Sequence, residues 1–256
     1  MHVLVISLPF DNVRRKKISE IMDALNIEYS FVDAIYGKHL SLDEKQKIPL
    51  TDFQRRENHT PTDGELGCTS SHIKAYKQFL QQGQDWVCIL EDDAIIDQNF
   101  KKFISTVDEN VLSKNSLYLL GGQDGLRYNR KVVLNLAKFK KIGGQKFGKV
   151  IFGHGYVLRA CGYLINSDTA KRLISRFENN FFIIDEWAYL MRQGYFSDIY
   201  LASFVHHPEE LSGSWLEKER KEIKSGKKKE KSFLRRKISS SYWNARRFIL
   251  GLCWWK

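Results

Sequence analysis

Residues 87–94 read Val-Cys-Ile-Leu-Glu-Asp-Asp-Ala. Four apolar residues running into three acids have the pattern of a buried parallel strand that ends in a carboxylate cluster. Glu91, Asp92 and Asp93 repel one another, so a fold that keeps them together needs a compensating partner. A hard divalent cation is the simplest one, because such ions take carboxylate oxygens. The end of a strand in an open α/β sheet is also where ligands bind. A cation there suits a substrate that carries phosphates. On local pattern alone, the alternative is three solvated acids in a turn.

Four other clusters carry chemistry. Ser7-Leu8-Pro9 followed by Arg14-Arg15-Lys16-Lys17 offers backbone groups at a strand end and nearby cations for a base and its phosphates. The alternative for Lys16 and Lys17 is the wet face of a helix. Residues 62–72, Thr-Asp-Gly-Glu-Leu-Gly-Cys-Thr-Ser-Ser-His, put small residues near a helix start, with Glu65 and His72 in reach of a sugar or phosphate. Cys68 has no clear base beside it and is discounted as a nucleophile. Asp185 and Glu186 follow an apolar pair and open a helix, where acids are favoured electrostatically; a carboxylate there also suits a general base. In Phe204-Val205-His206-His207-Pro208, a histidine just past a late strand can supply a nitrogen ligand to a metal; the alternative is a pair of surface histidines in a loop. No GxGxxG or GxxxxGK[ST] occurs, so neither a Rossmann dinucleotide site nor a P-loop is supported.

These residues need a scaffold, and the periodicity supplies one. Residues 2–8, 29–34, 86–90, 116–120, 163–165 and 199–205 read as strands. Residues 13–25, 65–82, 167–177 and 185–193 read as helices, with Asp11 or Asn12 capping the first and Ser167 the third. Residues 41–63 are polar loop with a short helix, 100–112 have mixed helical spacing, and 130–152 alternate like a hairpin. Strands interleaved with helices predict an α/β sheet covered on both faces.

The chain has 256 residues and a formal charge of +11. The charge is lopsided: residues 217–256 hold 14 Lys or Arg against 4 Glu, and the rest of the chain is nearly neutral. The positive charge a nucleic-acid groove needs is therefore missing from the body. The four cysteines are scattered without a CxxC pair, which reads as reduced, mostly buried thiols in a cytosolic protein, with no disulfide framework or zinc site expected. The start, Met-His-Val-Leu-Val-Ile-Ser-Leu-Pro, reads as a strand and not as a signal peptide.

Taken in order, Val5-Ile6-Ser7-Leu8 with Arg14-Arg15, Val32-Asp33-Ala34 with Gly37, Gly64-Glu65-Leu66-Gly67-Cys68 with Ser71-His72, Ile89-Leu90-Glu91-Asp92-Asp93-Ala94, and Gly162-Tyr163-Leu164-Ile165 form a set. The set resembles glycosyltransferase family 25, the lipopolysaccharide-biosynthesis glycosyltransferases, over roughly residues 2–210. The resemblance implies a GT-A type nucleotide-sugar-binding fold with a mixed, mostly parallel central sheet. It implies inverting, metal-dependent transfer of a hexose, usually galactose from UDP-galactose and alternatively glucose, to a lipooligosaccharide or lipopolysaccharide hydroxyl. Mn²⁺ or Mg²⁺ would sit at the acids, with Glu91 and Asp93 in the x-spaced geometry of a DxD motif and Asp92 facing the ribose or sugar. The donor site would then comprise Ser7, Leu8, Arg14, Asp33, Glu65, Ser71, His72, Asp92 and Gly121. Glu91, Asp93 and His206 would hold the metal, and Asp185 or Glu186 would be the base.

Residues 217–256 form the second segment after a catalytic domain at 1–216. Leu234, Ile238, Tyr242, Ala245, Ile249 and Leu252 recur at steps of three and four among Arg and Lys, with Trp243, Trp254 and Trp255 alongside. This is the pattern of a basic amphipathic helix lying on an anionic membrane surface; a helix that packs an oligomer is the alternative. The expected place is the cytoplasmic face of the inner membrane. Two further readings compete: another metal enzyme acting on phosphate esters, such as a nucleotidyltransferase, and a non-enzymatic membrane-associated protein.

Overall fold

The computed structural model describes residues 1–208 and 249, apart from Arg127 and the side chain of residue 136. The amphipathic tail expected at 217–256 lies outside the described residues, Ile249 excepted. Among the described residues no helix is long and apolar enough to cross a membrane.

The core is one eight-stranded sheet. Its strands are β1 (Val3–Ser7), β2 (Ser30–Asp33), β3 (Trp86–Glu91), β4 (Ser116–Gly121), β5 (Val133–Ile142), β6 (Gln145–Phe152), β7 (Gly162–Asn166) and β8 (Asp198–Val205). They lie in the order β2-β1-β3-β7-β4-β8-β6-β5. The sheet is mixed, as expected for a GT-A type α/β fold. β2-β1-β3 and β4-β8 are parallel, while β7 runs antiparallel between β3 and β4, and the β5–β6 hairpin closes one edge. The parallel share is smaller than the sequence suggests, because a strand as short as β7 carries no signal of its direction.

The pleat divides the apolar residues between two cores. Leu4 and Ile6 of β1, and Val87 and Ile89 of β3, face α4 (Asp63–Gln81), α6 (Ser167–Asn179) and α7 (Trp187–Arg192), meeting Ile73, Tyr76, Phe79, Leu173 and Trp187. Val3 and Val5, with Cys88 and Leu90, face α1 (Asn12–Ala24) and α5 (Gln98–Thr106), meeting Ile18, Met22, Phe100 and Phe103. Each central strand is buried on both faces, which is why its sequence is an unbroken apolar run. Val13, in the first turn of α1, is 79% exposed. The polar stretch after β2 carries α2 (Leu42–Gln46) and α3 (Thr51–Glu57), and Phe53 anchors α3 against Leu66 and Phe181.

Helix starts follow capping chemistry. Asp11 accepts the Arg14 N–H to open α1, and Thr62 and Glu65 form a reciprocal capping box on α4. Asn166, not Ser167, caps α6, since its side chain accepts the Thr169 N–H. The last helix starts later than expected, so Asp185 sits in a turn. The Glu186 carboxylate accepts the Ile183 N–H and pairs with Arg56, which holds residues 183–186 as a turn ahead of α7.

Candidate active site

The strands β1, β2 and β3 end together, and a cleft of about 240 Å³ opens above them. The pleat continues past the end of β3 and sends the acids different ways. Glu91 turns toward α4, where its Oε1 lies 3.3 Å from His72 Nε2. Asp92 turns toward β1 and α1, accepting the Ser7 hydroxyl at 2.7 Å and the Arg14 guanidinium at 3.0 Å. Asp93 Oδ2 is 3.4 Å from the same guanidinium nitrogen and 3.8 Å from His207 Nε2. Arg14 reaches both acids because the Asp11 cap begins α1 immediately after β1.

The charges do not cancel evenly. Burial pushes Glu91 up, but the hydrogen bond and charge of His72, with His207 and Arg14, bring it below the ordinary carboxylate range. Burial raises Asp92 above its usual value despite Ser7 and Arg14. Asp93 is pushed up to about 6, first by burial and then by the neighbouring Glu91 charge. Arg14 is itself desolvated, yet Asp92 and Asp93 hold its pKa above the usual value.

The residues fit a bound divalent cation. Ligand atoms of Glu91, Asp93 and His207 lie within 4.8 Å of one another. Asp93 Oδ1 is buried with no hydrogen-bond partner among the described residues. A buried carboxylate oxygen without a partner beside a second carboxylate and an imidazole is a donor set waiting for positive charge. The histidine in the set is His207, whereas His206 was the expected ligand. The backbone of His206 pairs in both directions with Ile95, and its ring turns away to Asp124 at 2.7 Å. In extended chain the next residue faces the opposite way, which carries His207 into the cleft.

Of the other expected residues, Ser7, Leu8, Arg14, Glu65, Ser71, His72, Asp92 and Asp185 line the cleft. Several of them also hold the scaffold. Glu65 caps α4. Ser71 donates to the Gly67 carbonyl at 2.6 Å and accepts the Ile35 N–H at 2.7 Å, pinning α4 to the chain after β2. That junction explains Gly-Glu-Leu-Gly-Cys: a Cβ on Gly67 would stand 2.5 Å from the Gly37 nitrogen, and one on Gly37 would stand 1.6 Å from the Asp63 carbonyl oxygen. His72 is 1% exposed, with Nδ1 2.8 Å from the Tyr163 hydroxyl and Nε2 3.3 Å from Glu91, so it supports Glu91 from below.

Besides His206, three expected residues are placed outside the cleft. Asp33 is at its rim, paired with Arg15. Gly121 ends β4 against β8, where a Cβ would lie 1.9 Å from the Val205 carbonyl oxygen; its role there is close packing of β4 on β8. Glu186 is committed to Arg56 and the Ile183 N–H. Asp185 remains as the acid of that pair in the cleft, with Oδ2 accepting the Arg159 N–H at 3.0 Å.

Sequence reasoning missed Arg159, Tyr36 and Lys38, which line the cleft, and gave Tyr163 no role beyond its place in the family set. Arg159 has φ 64 and bridges to the Gly122 and Asp124 carbonyls while its N–H orients Asp185. No local pattern marks it, because a positive φ outside glycine leaves no reliable sequence trace.

Residues 1–188 match the family model described as glycosyltransferase family 25 (LPS biosynthesis protein). The chain is 28% identical over 177 residues to a glycosyltransferase 25 family member of Aedes aegypti, covering 68% of this chain and 28% of that protein. It is 25% identical over 177 residues to the lipooligosaccharide biosynthesis protein lic2B of Haemophilus influenzae, covering 68% and 62%. It is 29% identical over 109 residues to procollagen galactosyltransferase 1-A of Xenopus laevis, covering 41% and 18%. The chain thus spans less than two thirds of each of these relatives.

Proposed function

The chain belongs to glycosyltransferase family 25, and from that premise we propose that it transfers a hexose, with inversion, from a UDP-sugar to a hydroxyl of a lipooligosaccharide or lipopolysaccharide acceptor. Galactose is the first donor to test, since one relative is named for galactosyl transfer and another for lipooligosaccharide biosynthesis. The observation that carries the reading is a single cleft holding a carboxylate cluster, a guanidinium and a separate carboxylate, Asp185.

The chemical problem is a departing UDP that gains negative charge as the glycosidic bond breaks. Manganese or magnesium held by Glu91, Asp93 and His207 would supply positive charge to the diphosphate there. Arg14 keeps Asp92 and Asp93 in register and adds a fixed cation to the cleft wall. Asp92, pinned by Ser7, ties the acid cluster to β1. Asp185 takes the proton of the acceptor hydroxyl while that oxygen attacks the anomeric carbon opposite the leaving UDP. The Arg159 N–H fixes which way the Asp185 carboxylate points. Residues 217–256, with their net charge of +10, would hold the enzyme on the anionic cytoplasmic leaflet where a lipid-linked acceptor is built.

The test is a panel of UDP-sugars with Mn²⁺ and deacylated lipooligosaccharide, with products read by mass spectrometry. The expected result is one added hexose from UDP-galactose, lost in excess EDTA and in Asp93→Ala protein of native circular dichroism. Absence of transfer from every UDP-hexose, or turnover that survives in Asp93→Ala, overturns the proposal.

A further inference from the structure

Cys68 and His72 stand one turn apart on α4, so their side chains leave the same face of the helix. That face meets the end of β3. The Cys68 sulfur, a His72 ring nitrogen and a Glu91 carboxylate oxygen all lie within 4.8 Å of one another. This second group of donors differs in chemistry from Glu91, Asp93 and His207. A thiolate, an imidazole and a carboxylate form a borderline-soft set, the kind that takes zinc or cadmium ahead of magnesium or manganese.

The geometry is close to what such an ion needs. His72 Nε2 and Glu91 Oε1 are 3.3 Å apart. Two ligands bound at 2.0–2.1 Å subtend a tetrahedral edge of roughly 3.3–3.4 Å, so this pair is already spaced for a shared cation. The Cys68 sulfur, within 4.8 Å of both, is the third ligand of the same set. Behind the ring, His72 Nδ1 meets the Tyr163 hydroxyl at 2.8 Å, and Tyr163 meets Tyr76 at 2.7 Å. A hydrogen bond on the far ring nitrogen is how proteins orient a metal-bound histidine. Tyr163 and Tyr76 are fully buried, so the support is rigid. Cys68 lines the cleft, which gives an ion a route in from solvent.

We propose that Cys68, His72 and Glu91 form a site for a thiophilic divalent cation, zinc or cadmium, distinct from the hard-cation set and sharing Glu91 with it. On binding, the Cys68 thiol and the His72 Nε2–H that faces Glu91 each release a proton to solvent, and the sulfur and the ring nitrogen become ligands of the ion. The inference goes beyond sugar transfer. Its test needs neither donor nor acceptor, so it stands or falls independently of the transferase reading.

The experiment is a Cd²⁺ titration of the full chain with Cys253→Ser, which removes a thiol outside the described residues; Cys88 and Cys161 are 0% and 1% exposed. The readout is the cadmium–thiolate charge-transfer band in the near ultraviolet. The expected result is a band that saturates at one ion per chain. It should disappear in Cys68→Ala and persist in Tyr163→Phe with affinity about tenfold weaker, the usual effect of removing a ligand's hydrogen-bond support. Far-ultraviolet circular dichroism checks that both variants keep the native fold. A band that survives in Cys68→Ala, Cd²⁺ uptake without any thiolate band, or an affinity that Tyr163→Phe leaves unchanged overturns the proposal.

Discussion

Replacing Asp93 with asparagine should make the metal-free protein more stable at neutral pH while destroying its capacity for a hard cation. Asp93 is only 19% exposed, and one of its oxygens has no partner among the described residues. Its carboxyl ionises at about 6 in the folded protein against an ordinary 3.8. At 1.36 kcal/mol per pKa unit, holding it ionised above pH 6 destabilises the fold by up to about 3 kcal/mol. That penalty is already net of the attraction of Arg14; the amide removes it, and the amide's imperfect match to the hydrogen bonding of the protonated acid trims the gain to about 1–2 kcal/mol.

The sign follows from proton counts. Below pH 4 the side chain is protonated in folded and unfolded chains alike, so the wild type carries no penalty. Between 4 and 6 the folded chain holds a proton that the unfolded chain has released, so wild-type stability falls as pH rises, and the penalty is complete above about 6. Urea and thermal melts of wild type and Asp93→Asn in EDTA, from pH 4 to 8, read this directly. For a chain of this size the gain at pH 7.5 is roughly 2–8 °C in Tm, at about 2–4 °C per kcal/mol. Mn²⁺ at about 100 times Kd should then add about 2.7 kcal/mol to the wild type and nothing to the variant. An advantage for Asp93→Asn that does not change with pH, a variant less stable than wild type at pH 7.5, or equal Mn²⁺ stabilisation of both proteins refutes the reasoning.

The two acids before α7 separate cleanly by assay. Asp185→Asn should lower kcat by about 10²–10⁴ with UDP affinity by calorimetry unchanged, whereas Glu186→Gln should lower Tm through the lost Arg56 pair and spare most of kcat. The adjacent histidines make a second pair: His207→Ala should weaken Mn²⁺ binding by calorimetry about tenfold or more, and His206→Ala should leave it unchanged; the reverse order would return the ligand role to His206. Removing residues 217–256 should release the protein from vesicles rich in phosphatidylglycerol in a flotation assay, in a salt-sensitive way, while transfer to a soluble acceptor continues. Vesicle binding that persists after truncation contradicts the membrane reading of the tail.

Much of the fold was legible because it is written in short-range patterns. The apolar run of β3, the alternation of strands and helices, and the acids at a strand end all follow from consecutive residues and the geometry of the pleat. The glycines of the 64–68 motif were visible as small residues, but their reason is the backbone contact between Gly67 and Gly37, on separate elements. The direction of β7 was not legible, nor was the later start of α7, which depends on an ion pair between Glu186 and Arg56.

By itself, then, the amino-acid sequence determined that a carboxylate cluster closes a central strand of an α/β sheet, because adjacency along the chain is covalent and burial of an apolar run leaves few alternatives. The tertiary structure decided the partners. It turned Glu91 toward His72 and Asp92 toward Ser7 and Arg14, chose His207 over His206, and kept Asp185 in the cleft while tying Glu186 to Arg56. Those choices depend on which elements meet in space, and the charge and hydrogen-bonding of each acid are set by neighbours that lie far away along the chain.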